Sequence, residues 1–202
     1  MVNGLQQFKS LDDTKLIELI RGGAVGVLPT DTIYGLVAAA GNQEAAGRVY
    51  SLKSRDKKPG TIIAASINQL VDLGIPRRYL KPVEQYWPGS VSIIVPAEAN
   101  LSYLHLGKFS LACRIPKDEK LQRLLEETGP VLTTSANHPG EPQASTINQA
   151  EKYFKDQVDF YVDGGDLSKR EASTIIRIVD DAVEIVRQGS VKIDEASGLV
   201  ID

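Results

Sequence analysis

The sequence predicts an α/β fold: one domain in which helices flank a twisted, mixed sheet of parallel and antiparallel strands. Three observations point there. Short apolar runs of strand length alternate with longer segments of helical period, the pattern of helices layered on a sheet. Two late strand-like segments, residues 174–179 and 183–187, flank Asp180-Asp181 as a hairpin, so the sheet is not purely parallel. The 202 residues carry no linker, internal repeat or low-complexity stretch, and 42% hydrophobic with 24% charged residues is enough for one self-sufficient core.

Each element has its own local reason. Ser10 and Asp12 are expected to cap a helix that carries Leu16, Leu19 and Ile20 on one face and stops at Gly22-Gly23. Residues 24–28 form an apolar run read as a buried strand, followed by the polar turn 29–35, in which Asp31 caps and Gly35 permits a positive φ. Residues 43–54 have helical spacing, and 61–65 make a second short strand. Ser66 caps a short helix to Leu73, and the helix over 77–87 must kink or break at Pro82. Residues 91–96, 110–115 and 131–135 are strand-like, with an amphipathic helix over 118–128 that ends at Gly129. A helix over 146–155 and a strand over 160–163 precede the hairpin.

Composition excludes several function classes. The longest apolar runs fall far short of the ~20 residues of a membrane span. Residues 1–20 lack a basic segment followed by an apolar one, so no secretory leader is expected and the cytoplasm is the default compartment. One cysteine, Cys113, allows no internal disulfide and no thiolate metal cluster. Two histidines, His105 and His138, and no dense carboxylate cluster argue against a built-in metal site or a Ser-His-Asp hydrolase. Neither glycine-rich phosphate cradle is present. The net charge of −3 does not mark a nucleic-acid binder, although residues 48–58 concentrate Arg48, Lys53, Arg55, Lys57 and Lys58 against Asp56 alone.

What remains is a site of hydroxyls, amides and cations at strand ends, where open α/β sheets place their ligands. The turn 29–35 offers Thr30, Thr32 and the phenol of Tyr34; Lys53-Ser54-Arg55 follows at a helix C-terminus. Thr133-Thr134-Ser135-Ala136-Asn137 closes the 131–135 strand and either binds phosphate oxygens or caps the next segment. Alternation in 110–115 puts Ser110, Ala112 and Arg114 on one face and Leu111, Cys113 and Ile115 on the other, which makes Cys113 a core thiol. An arginine such as Arg114 inside an apolar strand needs a carboxylate or phosphate, supplied by the protein or by a ligand. Ser173 and Arg187 raise the same question.

Seven segments in order carry a resemblance: 29–36 (Pro-Thr-Asp-Thr-Ile-Tyr-Gly-Leu), 53–55, 87–91 (Trp-Pro-Gly-Ser-Val), 112–116, 134–137, 173–176 and 186–189. Together they resemble the YrdC/TsaC family, the short-form threonylcarbamoyl-AMP synthases. The resemblance implies a single YrdC-like domain over 1–202 with no additional C-terminal domain. It also implies synthesis of threonylcarbamoyl-adenylate and pyrophosphate from L-threonine, bicarbonate and ATP, with Mg2+ entering alongside the nucleotide. The product would pass to downstream transferase proteins that modify tRNA, and direct tRNA contact would be weak. By position, Thr32, Arg114, Ser135 and Ser173 would hold threonine; Lys53, Arg55, Ser110, Asn137, Ser145 and Arg187 would hold ATP. Lys53, Arg55, Ser135 and Asn137 would stand closest to the chemistry.

One departure stands out. Asp56 follows Arg55 where the family usually has proline, and the next stretch is one residue short, leaving Pro59 and Ile63 nearest to a further family ligand. Two other readings stay open: a module that binds structured RNA through residues 48–58 and Arg77-Arg78, and a paralogue with an altered reaction.

Overall fold

The computed structural model describes residues 5–54, 58–180, 182–194 and 196–201. In chain order the elements are β1 (Gln6–Phe8), α1 (Thr14–Arg21), β2 (Gly26–Pro29), β3 (Tyr34–Ala39), α2 (Gln43–Leu52) and β4 (Thr61–Ile63). They continue with α3 (Ile67–Leu73), α4 (Arg77–Leu80), a 3-10 helix (Lys81–Tyr86), β5 (Val91–Pro96), a short 3-10 turn (Ala99–Leu101) and α5 (Ser102–His105). The remainder is β6 (Ser110–Arg114), α6 (Glu119–Thr128), β7 (Val131–Ser135), α7 (Ile147–Phe154), β8 (Phe160–Val162), β9 (Thr174–Val179), β10 (Ala182–Arg187), β11 (Lys192–Ile193) and β12 (Val200–Ile201).

Ten strands form one sheet in the order β1-β8-β2-β3-β7-β4-β6-β5-β9-β10, and β11 and β12 pair separately. Parallel pairs (β1/β8, β2/β8, β4/β6, β5/β9) and antiparallel pairs (β2/β3, β3/β7, β4/β7, β5/β6, β9/β10) are interspersed, which is the mixed sheet expected.

Strand alternation sends side chains to two faces. One face carries Tyr34, Leu36, Leu132, Ile62, Cys113, Ile93 and Ile176 into a large core completed by residues of α2, α3, α5 and α7. Burial pushes the Cys113 thiol well above its ordinary range, as a core thiol requires. The other face carries Leu28, Val37, Ile63, Val131 and Phe160, packed against Leu16 and Ile20 of α1 and Leu121, Leu124 and Leu125 of α6. Those two helices cover only part of that face. The uncovered part is where the polar residues gather.

Several local expectations need correction. The N-cap of α1 is Asp13, whose carboxylate accepts from the amides of Lys15 and Leu16, while Ser10 accepts from Asp12 in the preceding turn. Residues 34–35 belong to a strand, not a turn. Strand β3 begins at Tyr34, and the turn joining it to β2 is confined to residues 30–33. Gly35 has no positive φ. Its importance is steric: a Cβ there would strike Thr133 Oγ1 on the neighbouring strand. The predicted break at Pro82 appears as α4 passing into the 3-10 helix. In the β9–β10 hairpin Asp180 has a positive φ of 49°, and Asp181 lies outside the described residues.

Candidate active site

A cavity of about 180 Å³ opens on the uncovered part of the sheet. Its walls come from the β2–β3 turn (Thr32), from Arg114 and Ser135 at the ends of β6 and β7, from Ser173 just before β9, and from Arg187 at the end of β10. The four residues assigned by resemblance to threonine therefore share one cavity, although up to 141 positions separate them in sequence. Pro59 also lines it; Ile63 does not, being buried under α1 and α6.

Arg114 is the centre of this arrangement. It is 3% exposed, and its Nη2 donates to Asp31 Oδ1 at 2.9 Å while Nη1 donates to Ser92 Oγ at 3.1 Å. Asp31 is thus an internal partner, not the simple turn cap expected, and a hydroxyl from Ser90 at 3.2 Å supports its other oxygen. The choice between a protein carboxylate and a ligand is answered by both kinds of observation. One guanidinium edge is neutralised by Asp31, yet Arg114 Nε is buried with no hydrogen-bond partner. Orphaned buried donors are rare, and this one belongs to a side chain that also lines the cavity.

The second arginine completes an electrostatic asymmetry. Arg187 donates through Nε and Nη2 to the Ser173 carbonyl at 3.2 and 2.7 Å, and through Nη2 to Ser173 Oγ at 3.2 Å. It makes no ion pair among the described residues. Part of its side chain reaches solvent, but desolvation first and the like charge of Arg114 second pull its guanidinium below the ordinary arginine range. Two cations therefore face one carboxylate, Asp31, and the cavity is suited to an anion.

The hydroxyls on the opposite wall are held by turn geometry. Thr30 Oγ1 donates to the Ile33 carbonyl at 2.7 Å and accepts from the Thr32 and Ile33 amides at 3.2 and 3.3 Å, which fixes the turn and holds the Thr32 hydroxyl 3.0 Å away at the cavity wall. Tyr34 contributes differently from expectation. Its phenol donates to the Gly165 carbonyl at 2.9 Å and accepts from the Gly164 amide at 2.8 Å, so it pins that loop and offers nothing to a ligand. Burial raises the phenol's pKa and keeps it neutral.

Beside the cavity, the turn after β7 is held from within. Lys53 is 1% exposed; its Nζ donates to the Ser135 carbonyl at 2.8 Å, the Asn137 carbonyl, and Asn137 Oδ1 at 2.9 Å. Ser135 Oγ donates to Asn137 Oδ1 at 2.7 Å, and Asn137 Nδ2 donates to the Glu141 carbonyl at 2.6 Å. Lys53 was expected to reach toward a ligand; here it braces the strand end that carries Ser135. Ser110 and Ser145 lie outside the cavity walls, with hydroxyls directed to the Lys108 carbonyl at 3.4 Å and to Gln149 Oε1 at 3.0 Å. Arg55 lies outside the described residues.

The basic run behaves as structure where it is described. Arg48 makes a two-pronged ion pair with Asp159 at 2.6 and 2.9 Å and also holds the Gln157 carbonyl. Arg78 reaches Glu98 at 3.4 Å, and Arg77 holds Asn68. Neither histidine approaches the site: His105 accepts from loop amides, and His138 Nε2 meets the Tyr153 carbonyl. Among the described residues no cluster of metal-ligating side chains exists, and no helix is long and apolar enough to cross a membrane.

This α/β fold is one that known proteins share. The family model for Sua5, YciO and YrdC, described as telomere recombination, matches residues 18–189. The chain belongs to that family. A threonylcarbamoyl-AMP synthase from Pseudomonas aeruginosa is 35% identical over 163 residues, 79% of this chain and 88% of its own length. Among solved structures, P. abyssi Sua5 complexed with L-threonine aligns with a TM-score of 0.82 and 25% identity over 96% of this chain. This chain spans 59% of that protein. The E. coli YciO structure, at 23% identity and a TM-score of 0.76, covers 92% of this chain and 95% of its own, and shares the fold.

Proposed function

We propose that the protein is a threonylcarbamoyl-AMP synthase, a nucleotidyltransferase that joins L-threonine, bicarbonate and ATP and releases pyrophosphate. The observation that carries the reading is the cavity itself. Thr32, Arg114, Ser135 and Ser173 converge on it, and Arg187 adds a positive charge with no ion pair among the described residues. Its volume lies below the roughly 300–1,000 Å³ of sites that enclose larger ligands, which suits an amino acid and not a whole nucleotide. ATP is therefore assigned to the rim beside Ser135 and Asn137, with Lys53 bracing that rim and Arg187 at the junction. The assignment of Arg55, Ser110 and Ser145 to ATP rests on the resemblance.

The chemistry needs no enzyme nucleophile. The threonine amine and bicarbonate condense to a carbamate with loss of water; a carbamate oxygen attacks the α-phosphorus, and the bond to pyrophosphate breaks. Magnesium enters as part of the nucleotide substrate. The protein's part is to hold the carboxylate of the amino acid and to neutralise charge at the displacement, tasks for arginine and hydroxyl donors. The adenylate would serve tRNA modification through separate transferase proteins.

The test is pyrophosphate release with each substrate withheld in turn. Release is expected to require ATP, L-threonine and bicarbonate together, with serine moderately poorer and glycine poor, because a site built to bind a hydroxyl rejects an analogue lacking it. Equal release without threonine would overturn the reading. A module built to bind RNA predicts tight tRNA binding; on the present reading binding by the isolated chain is weak and lost on adding salt.

A further inference from the structure

We infer that Ser92, a fully buried residue of β5 outside the cavity walls, is a positioning residue that makes Ser173 a hydrogen-bond donor toward the bound amino acid. The inference rests on the reading of the cavity as the threonine site.

The argument is a count of protons and lone pairs. A serine hydroxyl has one proton to give and two lone pairs to fill. Ser92 is 0% exposed, and its Oγ has two partners: Arg114 Nη1 at 3.1 Å and Ser173 Oγ at 2.9 Å. A guanidinium can only donate, so Arg114 occupies one Ser92 lone pair. Were Ser173 also to donate to Ser92, the Ser92 proton would be buried with no acceptor, a costly arrangement. Ser92 therefore donates to Ser173. Ser173 Oγ receives a second donor from Arg187 Nη2 at 3.2 Å, which fills its remaining lone pair. What Ser173 has left is its own proton, and its open side is the cavity.

The direction of the chain thus runs from Arg114 through Ser92 to Ser173 and on to the ligand. Two arginines that cannot accept fix it from both ends. The group that meets Ser173 must be an acceptor, an oxygen of the amino acid and not a protonated amine.

Three variants test this: Ser92→Ala, which removes the donor, and Ser92→Thr and Ser92→Cys, which keep a hydroxyl or a similar volume. Direct L-threonine binding is measured by calorimetry, and KM for threonine and for ATP is measured well below each melting point. Ser92→Ala is expected to weaken threonine binding about tenfold, the usual scale for an unmade buried hydrogen bond, while the ATP KM stays within about twofold. Ser92→Thr should bind threonine within about threefold of the parent, and Ser92→Cys, a weak donor, should fall between. In a Ser173→Ala background, Ser92→Ala should cost less than it does alone, since part of its effect passes through Ser173. A Ser92→Ala protein with a lowered melting point and unchanged threonine affinity would reduce Ser92 to a structural role and overturn the inference. Should Ser92→Ala not fold, parent-like threonine affinity in Ser92→Cys would overturn it equally. If the parent itself binds no threonine, the failure lies with the proposed function instead.

Discussion

One face of the sheet is used in two ways, often by the same strand. Strand β7 buries Val131 under α1 and α6, and two residues on turns Thr133 toward the cavity. Strand β4 does the same with Ile63 and Thr61. Under the helices the face is apolar and filled; beyond them it carries hydroxyls, a buried ion pair and a second arginine. Apolar packing tolerates any neighbour of suitable size, whereas buried polar groups need named partners. The uncovered half is accordingly wired internally, Asp31 to Arg114 to Ser92 to Ser173 to Arg187, and what the wiring leaves over points at the ligand.

Melting temperature and activity should therefore separate the two halves. The largest loss of stability is expected from Arg114→Ala, which strands Asp31 without its cation and costs about 3–5 kcal/mol. At roughly 2–4 °C per kcal/mol for a chain of this size, calorimetry would show it clearly. The same variant should need more threonine to work, so it fails on both scales. A melting point unmoved by the change would break the account of the polar half.

Leu124→Ala comes next, emptying space between α6 and the sheet at a cost of about 2–5 kcal/mol. Its threonine KM at a permissive temperature should match the parent, which sharpens the contrast. Arg187→Ala is the converse. Its melting point should hold or rise slightly, because a like charge next to Arg114 is removed, while pyrophosphate release falls roughly 100-fold or more. Parent-like turnover in that variant would remove Arg187 from the site.

The smallest effect is one of pH and lies far from the cavity. Burial works to raise the Asp159 carboxyl, but hydrogen bonds from Arg48 and the Val25 amide, with the Arg48 charge, outweigh it and hold the pKa below the ordinary value. A depressed folded pKa stabilises above the unfolded pKa near 4 and is lost as pH falls through the folded value. Acid melts should show a modest decline below about pH 4 that Arg48→Ala weakens, with neutral-pH activity unchanged.

Most of the sheet and every helix of seven residues or more were legible from caps, period and punctuation. Asp118, Gly129, Ser66 and Thr146 bound their helices where local chemistry says they should. Strand β3 was not legible because five of its six residues are buried, which erases alternation, and because Gly35, Ala38 and Ala39 are weak strand formers. The three residues of β1 carry too little pattern to register. Thr32, Arg114, Ser135, Ser173 and Arg187, singled out through motifs, line one cavity, but their internal partners were not legible. Asp31 and Arg114 are 83 positions apart, and nothing local announces such a pair. The bracing contacts of Lys53 were illegible for a related reason: its acceptors are largely backbone carbonyls, and carbonyls are the same in every sequence.

The pairing of β5 with β9 has a consequence for the birth of the molecule. Ser92 in β5 sits opposite Ile175 in β9, and only through that long-range closure do Ser173 and Arg187 reach Arg114 and Thr32. Non-local closures of this kind are slow steps in assembly. A nascent chain in which β1 through β8 have left the ribosome holds most of the apolar core but lacks two walls of the cavity. Ligand binding therefore reports completion of the fold, and threonine added during refolding should capture the last docking event and leave earlier ones untouched.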